Sequence, residues 1–146
     1  MIRIAKNVRD RVSPASNAPV AHGVGRRKSS VARAWCYRGT GNLVINGKEV
    51  DRYFDTHITR TMVVTPLTVV PQVAKNYDLS INVCGGGLCS QADAIKLAIS
   101  RAFVKLHDDI RATLRAHGLL TSDDRVKERK KPGQKAARAK FQFVKR

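Results

Sequence analysis

The chain has 146 residues, 42% of them hydrophobic, enough for one compact domain with tails and too few for two. Its formal net charge of +17 self-repels unless a polyanion neutralises it, with nucleic acid as the first candidate partner and an anionic membrane surface as the second. No apolar run approaches the roughly 20 residues of a membrane span, no secretory-type apolar region opens the chain, and three cysteines, an odd count, argue against a disulfide framework and for a reducing compartment.

Residues 1–21 read as a basic extension. Ser13, Pro14, Ser16, Asn17 and Pro19 break regular structure. Ile4, Val8 and Val12 recur every four residues, so this arm is either a plain surface extension or carries a short basic amphipathic helix of organelle-targeting character. With Met1 in place, the expectation is that no presequence has been removed.

From His22 the sequence His-Gly-Val-Gly-Arg-Arg-Lys leads into a strand predicted over Val31–Tyr37, rich in β-branched and aromatic residues. Gly39-Thr40-Gly41 turns the chain into a second strand, Leu43–Ile45. Asn46-Gly47 then signals a two-residue type I′ turn, whose two central positions need positive φ. Lys48–Val50 either returns as a third short strand or opens a helical turn. Thr56–Val70 is ambiguous: Ile58, Met62 and Leu67 suit one helix face, while its paired valines favour strand. Pro66 is expected to start a second short helix there rather than sit inside one.

Tyr77–Cys84 alternates cleanly, with Tyr77, Leu79, Ile81 and Val83 on one side, as a half-buried strand does. After Gly85-Gly86-Gly87 a helix is predicted over Ser90–Leu106, with Ile95, Ala98, Ile99, Ala102, Phe103 and Leu106 in one stripe. A second is predicted over Asp108–Ala116, its start favoured by Asp108 and Asp109 and its end by Gly118. Hydrophobic periodicity stops after Leu120. The expected fold is therefore α+β, a two-layer α/β sandwich with a small mixed sheet and helices on one face, over residues 22–120. Residues 121–146 form an extended basic tail.

The charge is unevenly placed. Residues 1–33 carry eight Lys or Arg (Arg3, Lys6, Arg9, Arg11, Arg26, Arg27, Lys28, Arg33) against Asp10. Residues 125–146 carry ten (Arg125, Lys127, Arg129, Lys130, Lys131, Lys135, Arg138, Lys140, Lys145, Arg146) against Glu128. A nearly neutral middle is thus flanked by two basic arms. Phosphate contacts dominate nucleic-acid affinity, so this distribution points to a polyanion held from both ends. Glycines beside Arg26, Arg27 and Lys28 permit close backbone approach, and Arg meets phosphate bidentately. The tail has no apolar face large enough to fold alone. Pro132-Gly133 breaks any helix, and Phe141 and Phe143 offer rings to bases or to a protein groove.

Gly85, Gly86 and Gly87, between a strand and a helix, either cradle phosphate or make a tight turn that lets the helix pack close. Neither the P-loop nor the dinucleotide pattern is complete around them. Cys84 and Cys89 lack the partners of a zinc site, and the thiols read as buried or inert. No nucleophile has a recognisable base, and Asp108-Asp109 and Asp123-Asp124 read as helix-start and turn acids. Nothing implies a catalytic residue, a metal, a cofactor or a small-molecule substrate.

Four landmarks stand in order: Gly23–Arg33 (G-x-G-R-R-K-S-S-V-A-R), the hairpin G-N-L-V-I-N-G, G-G-G-x-x-x-Q-A at Gly85–Ala92, and E-R-K-K-x-G with a terminal K-R. Together they resemble the small-subunit ribosomal protein nine family, of bacterial or organellar type, over residues 22–146. The resemblance implies a two-layer α/β fold of the ribosomal S-five domain-two kind, in the head of the small ribosomal subunit. It also implies binding to small-subunit rRNA and to neighbouring head proteins, with a tail running toward the peptidyl-site tRNA. Carried over, Lys145 and Arg146 face tRNA, while Arg26, Arg27, Lys28, Arg129, Lys130, Lys131, Lys135 and Arg138 hold rRNA. Charge adds Arg33, Arg125, Lys127 and Lys140 to that set. The implied place is a ribosome, in an organelle matrix or the bacterial cytoplasm. The chain departs from the family at Cys89, Ser90 and Asp93, where small residues or glycine are common, and Asp93 would weaken a phosphate contact there. It departs again at Pro132, Ala136, Ala137, Ala139 and Val144. The competing readings are a free nucleic-acid-binding regulator and an enzyme using the glycine triplet for phosphate.

Overall fold

A computed structural model of the protein describes residues 18–143. The amphipathic pattern at Ile4, Val8 and Val12, and the terminal Lys145 and Arg146, lie outside the described residues. Five strands form one sheet in the order β1-β2-β5-β3-β4: β1 is Ala21–Arg27, β2 Ser30–Arg38, β3 Leu43–Ile45, β4 Lys48–Glu49 and β5 Tyr77–Cys84. All neighbours are antiparallel except β3 and β5, so the sheet is mixed, as expected. A parallel neighbour requires a crossover. Here it runs through α1 (Val50–Tyr53), α2 (His57–Val69) and α3 (Pro71–Ala74). α4 (Leu88–Leu106), a 3₁₀ turn (Asp108–Ile110) and α5 (Arg111–Ala116) complete the helical layer.

The Asn46-Gly47 turn has φ of 48° and 77°, the two positive values of a type I′ hairpin. The segment after it does both things the sequence left open, pairing for two residues and then turning helical. Alternation in β5 buries Leu79, Ile81 and Val83, which meet Ala32, Ala34 and Cys36 of β2 on the helix-facing side. The stripe predicted for the long helix is the core face of α4: Ile95, Ala98, Ile99, Ala102 and Phe103 are fully buried and Leu106 partly so.

Three expectations are corrected. β1 falls where only a glycine-rich approach to the first strand was expected, and it forms a hairpin with β2 across Lys28-Ser29. Its glycines explain this. A Cβ on Gly23 would overlap the Ala98 carbonyl, and one on Gly25 the Ala94 carbonyl. The close backbone approach is therefore to α4, whose facing residues Ala94, Ala98 and Ala102 are also small. Pro66 lies inside α2 instead of starting a helix. Its fully buried ring offsets the one backbone bond that it cannot donate. Pro71 is the proline that opens a helix, at the first turn of α3 where no N–H is missed. Among the cysteines, Cys36 is buried and its thiol is pushed up to about 12 by desolvation, an inert group at neutral pH. Cys84 and Cys89 are exposed instead. No described helix is long and apolar enough to cross a membrane.

Candidate nucleic-acid interface

Strand pleating separates the three adjacent cations. Side chains alternate across a strand, so Arg27 follows Ala21, Gly23 and Gly25 onto the helix side, and Arg26 points to the open side of the sheet. Arg26 and Lys28 are exposed and make no hydrogen bond or ion pair among the described residues. Lys28 sits at the hairpin tip with φ 51°, a conformation favoured by Gly and Asn rather than Lys.

Arg27 is otherwise engaged. Its guanidinium donates to the carbonyls of Asp123 (2.9 Å) and Arg125 (2.7 Å). It also pairs with the carboxylates of Asp123 (3.1 Å) and Asp93 (3.7 Å), and its side chain is only 15% exposed. Asp93 is shared with Lys96 at 2.9 Å. These groups line a cleft of about 260 Å³ between the hairpin tip and the end of the helical layer. Asp123 in turn accepts from Arg125 through both carboxylate oxygens. Arg125 first, and Arg27 after it, hold the Asp123 carboxyl well below the usual carboxylate range. The same pairing raises Arg125. The tail is thus tied down where it leaves the domain, just after the buried anchor Leu119.

The glycine triplet lies at the same end. Gly85 and Gly86 have φ of 76° and 63°, and a Cβ on either would strike Ser29, Ser30 or Ser90. Ser30 Oγ donates to the Gly85 carbonyl at 3.0 Å or shares its proton with Ser90 Oγ at 2.7 Å. Ser90 Oγ also accepts from Gly87 N–H at 3.1 Å, capping α4. Two of the three glycines are therefore required by a tight turn against the β1–β2 hairpin. All three remain exposed on their outer side.

Among the described residues the tail beyond residue 124 has no helix or strand. It bends at Pro132-Gly133, where Gly133 has φ 70°. Glu128 sits inside the bend and accepts from Lys131 Nζ (2.7 Å) and Arg138 Nε (2.9 Å). Those two cations hold its carboxyl below the ordinary value, Lys131 contributing most. Lys135 lies over the Phe141 ring at 5.8 Å. Lys127, Lys130 and Lys140 are exposed with no ion pair among the described residues, as is Arg33 on the open sheet face. Arg129 reaches only the carbonyl of Lys130.

The structure therefore brings the hairpin tip, the glycine triplet and the tail root to one end of the molecule. In the sequence Asp93 and Ser90 stand out only as departures from the family and Asp123 only as a turn acid, and nothing there marks them or Ser30 as organising that end. Arg27 and Asp123 are 96 residues apart, and no local pattern marks the pair.

The ribosomal protein S9/S16 family model matches residues 25–146. A small ribosomal subunit protein uS9 from Parabacteroides distasonis is 46% identical over 127 residues, covering 87% of this chain and 98% of that protein. Those from Borreliella burgdorferi (48% over 131 residues, 90% and 96%) and Porphyromonas gingivalis (47% over 123 residues, 84% and 95%) are similarly close. The chain belongs to the ribosomal protein S9/S16 family. As a ribosomal protein it is structural and not an enzyme. The S9/S16 match takes in the hairpin tip, the triplet and the whole basic tail, and leaves most of β1 and everything before it outside.

Proposed function

We propose that this protein is a structural constituent of the small ribosomal subunit, bound to its rRNA by the two basic arms. The observation that carries the reading is the placement of free cations. Arg26, Lys28 and Arg33 on the hairpin, and Lys127, Lys130 and Lys140 on the tail, stand exposed without a carboxylate partner among the described residues, around a domain whose own charges nearly cancel. Arg129, Lys131, Lys135 and Arg138 join them once RNA phosphate competes for their present partners. Arg27 and Arg125 act one step back, aiming the tail. The relatives' printed name supports the assignment to the small subunit.

In this reading residues 1–21 are a basic extension, 22–120 the globular domain and 121–146 the contacting tail. Lys145 and Arg146 meet the peptidyl-site tRNA, and proteins of the subunit head are the neighbours. Gly85, Gly86 and Gly87 serve as backbone contacts to phosphate beside Lys28. The objection raised by Asp93 is weakened, because Arg27 and Lys96 neutralise it. The named relatives are bacterial, which favours a ribosome in a bacterial cytoplasm over one in an organelle. Sucrose-gradient sedimentation of the tagged protein tests the proposal. It should travel with the small subunit, and recovery only at the top of the gradient would favour a free regulator.

A further inference from the structure

The helices cover one face of the sheet, and among the described residues the other face is open. Pleating and register define what that face carries. One row across it runs His22, Trp35, Ser80 and Val44, and the next runs Val24, Arg33 and Asn82. Arg26 lies at the same face beside Val31 and Cys84, and Tyr37 follows Trp35 by two residues on β2. His22 and Trp35 form a ring pair with centroids 5.3 Å apart and planes tilted by 38°. Trp35 and Tyr37 are half-buried, so each keeps part of its ring in solvent.

We propose that this open face is a stacking site for an unpaired stretch of RNA, with bases on Trp35 and Tyr37 and phosphates on Arg33 and Arg26. The proposal rests on RNA being the partner, and deepens that reading by adding aromatic stacking beside two cations, Arg26 and Arg33, of the hairpin arm. Charge favours RNA as the occupant. Arg26 and Arg33 are exposed cations on this face. Among the three long strands its one carboxylate, Asp78, is occupied by the N–H groups of Thr40, Gly41 and Asn42 at 2.8–3.0 Å. Glu49 lies at the far edge, on β4. Aromatic rings on a sheet, flanked by arginines and by the small polar groups of Ser80 and Asn82, suit splayed bases. They suit a duplex poorly, because its base faces are hidden in the stack.

Trp35 is the chain's one tryptophan, so its emission reports on this face alone. The full chain is titrated with a labelled single-stranded octanucleotide and with a hairpin duplex of equal charge, reading RNA anisotropy and Trp35 emission together. Trp35 emission should be quenched in step with single-strand binding and not with duplex binding. Tyr37→Ser should weaken the single strand by roughly tenfold while sparing the duplex, whereas Arg33→Ala should weaken both, the single strand more. Trp35→Phe, which keeps a ring, should weaken it less than Tyr37→Ser. Tight single-strand binding with Trp35 emission unmoved overturns the sheet-face proposal and leaves the arms as the RNA contacts. Failure of either RNA to bind at low salt overturns both. Emission that responds only after residues 2–17 are deleted means that the chain's own N-terminal segment occupies the face, and quenching by purified subunit-head proteins instead of RNA assigns it to protein. Both results also overturn the proposal.

Discussion

The Arg27 guanidinium donates to the Asp123 main-chain carbonyl at 2.9 Å and meets the Asp123 carboxylate at 3.1 Å, joining the first hairpin to a residue 96 positions later. A flexible tail attached at an arbitrary angle would lose more entropy on docking than one whose first residues already point the right way. Arg27 thus supports binding through geometry, where its neighbours Arg26 and Lys28 act through charge.

Replacing Arg27 by Ala should therefore loosen residues 121–125 without disturbing α4. Hydrogen exchange in that segment should rise several-fold while the α4 amides keep their protection. Unchanged exchange at 121–125 would show that Leu119 alone fixes the tail root.

The same latch has a defined pH response. Asp123 is held below its ordinary value of 3.8 by Arg125 and then Arg27. A depressed carboxylate contributes stability above its unfolded value and loses it as pH falls through the folded one. Exchange at 121–125, corrected for its intrinsic rate, should stay flat from neutral pH down to about 3.8 and rise only below it. A rise between neutrality and that value would mean that another group holds the tail.

Gly25→Ala should destabilise the fold by about 1–3 kcal/mol, because the added carbon meets backbone rather than a movable side chain. Gly87→Ser is the contrast. Gly87 has φ −106°, open space around its Cβ position, and stands at the N-cap of α4. Its replacement should change stability by no more than about 0.5 kcal/mol in either direction. Denaturant midpoints compare the two directly.

Elements with strong local periodicity were legible in the sequence. β5 alternates, α4 carries a continuous stripe, and Asn46-Gly47 allows few other turns. β1 was not legible, since Gly23 and Gly25 depress strand propensity and their purpose lies across the core in α4. Pro66 misled for a related reason, as burial of its ring outweighs a local rule. At the site, charge located the hairpin and tail cations but gave no means of separating Arg26 from Arg27. That distinction is made by the pleat and by Asp93 and Asp123, which are distant in sequence.

Glu128 competes with RNA for Lys131 and Arg138. Glu128→Gln should release both, steepening the salt dependence of RNA binding by about 0.7–0.9 for each phosphate gained. Acid should mimic the substitution only below the ordinary value of 4.5, since the two cations depress the carboxyl. An unchanged slope in the variant would place Lys131 and Arg138 away from phosphate.

Deleting residues 144–146 should leave incorporation into the small subunit intact and weaken tRNA at the peptidyl site, measured by filter binding to purified subunits. Loss of incorporation would make the terminal residues assembly contacts instead.

The central claim is that the basic tail grips RNA phosphate. Its most direct test is the affinity of the full chain for isolated small-subunit rRNA as salt is raised, beside a chain ending at Asp124. If about five tail cations meet phosphate, truncation should remove about 3.5 to 4.5 from the magnitude of the log-affinity against log-salt slope. Equal slopes for the two chains, or a full-chain slope near zero, would contradict it.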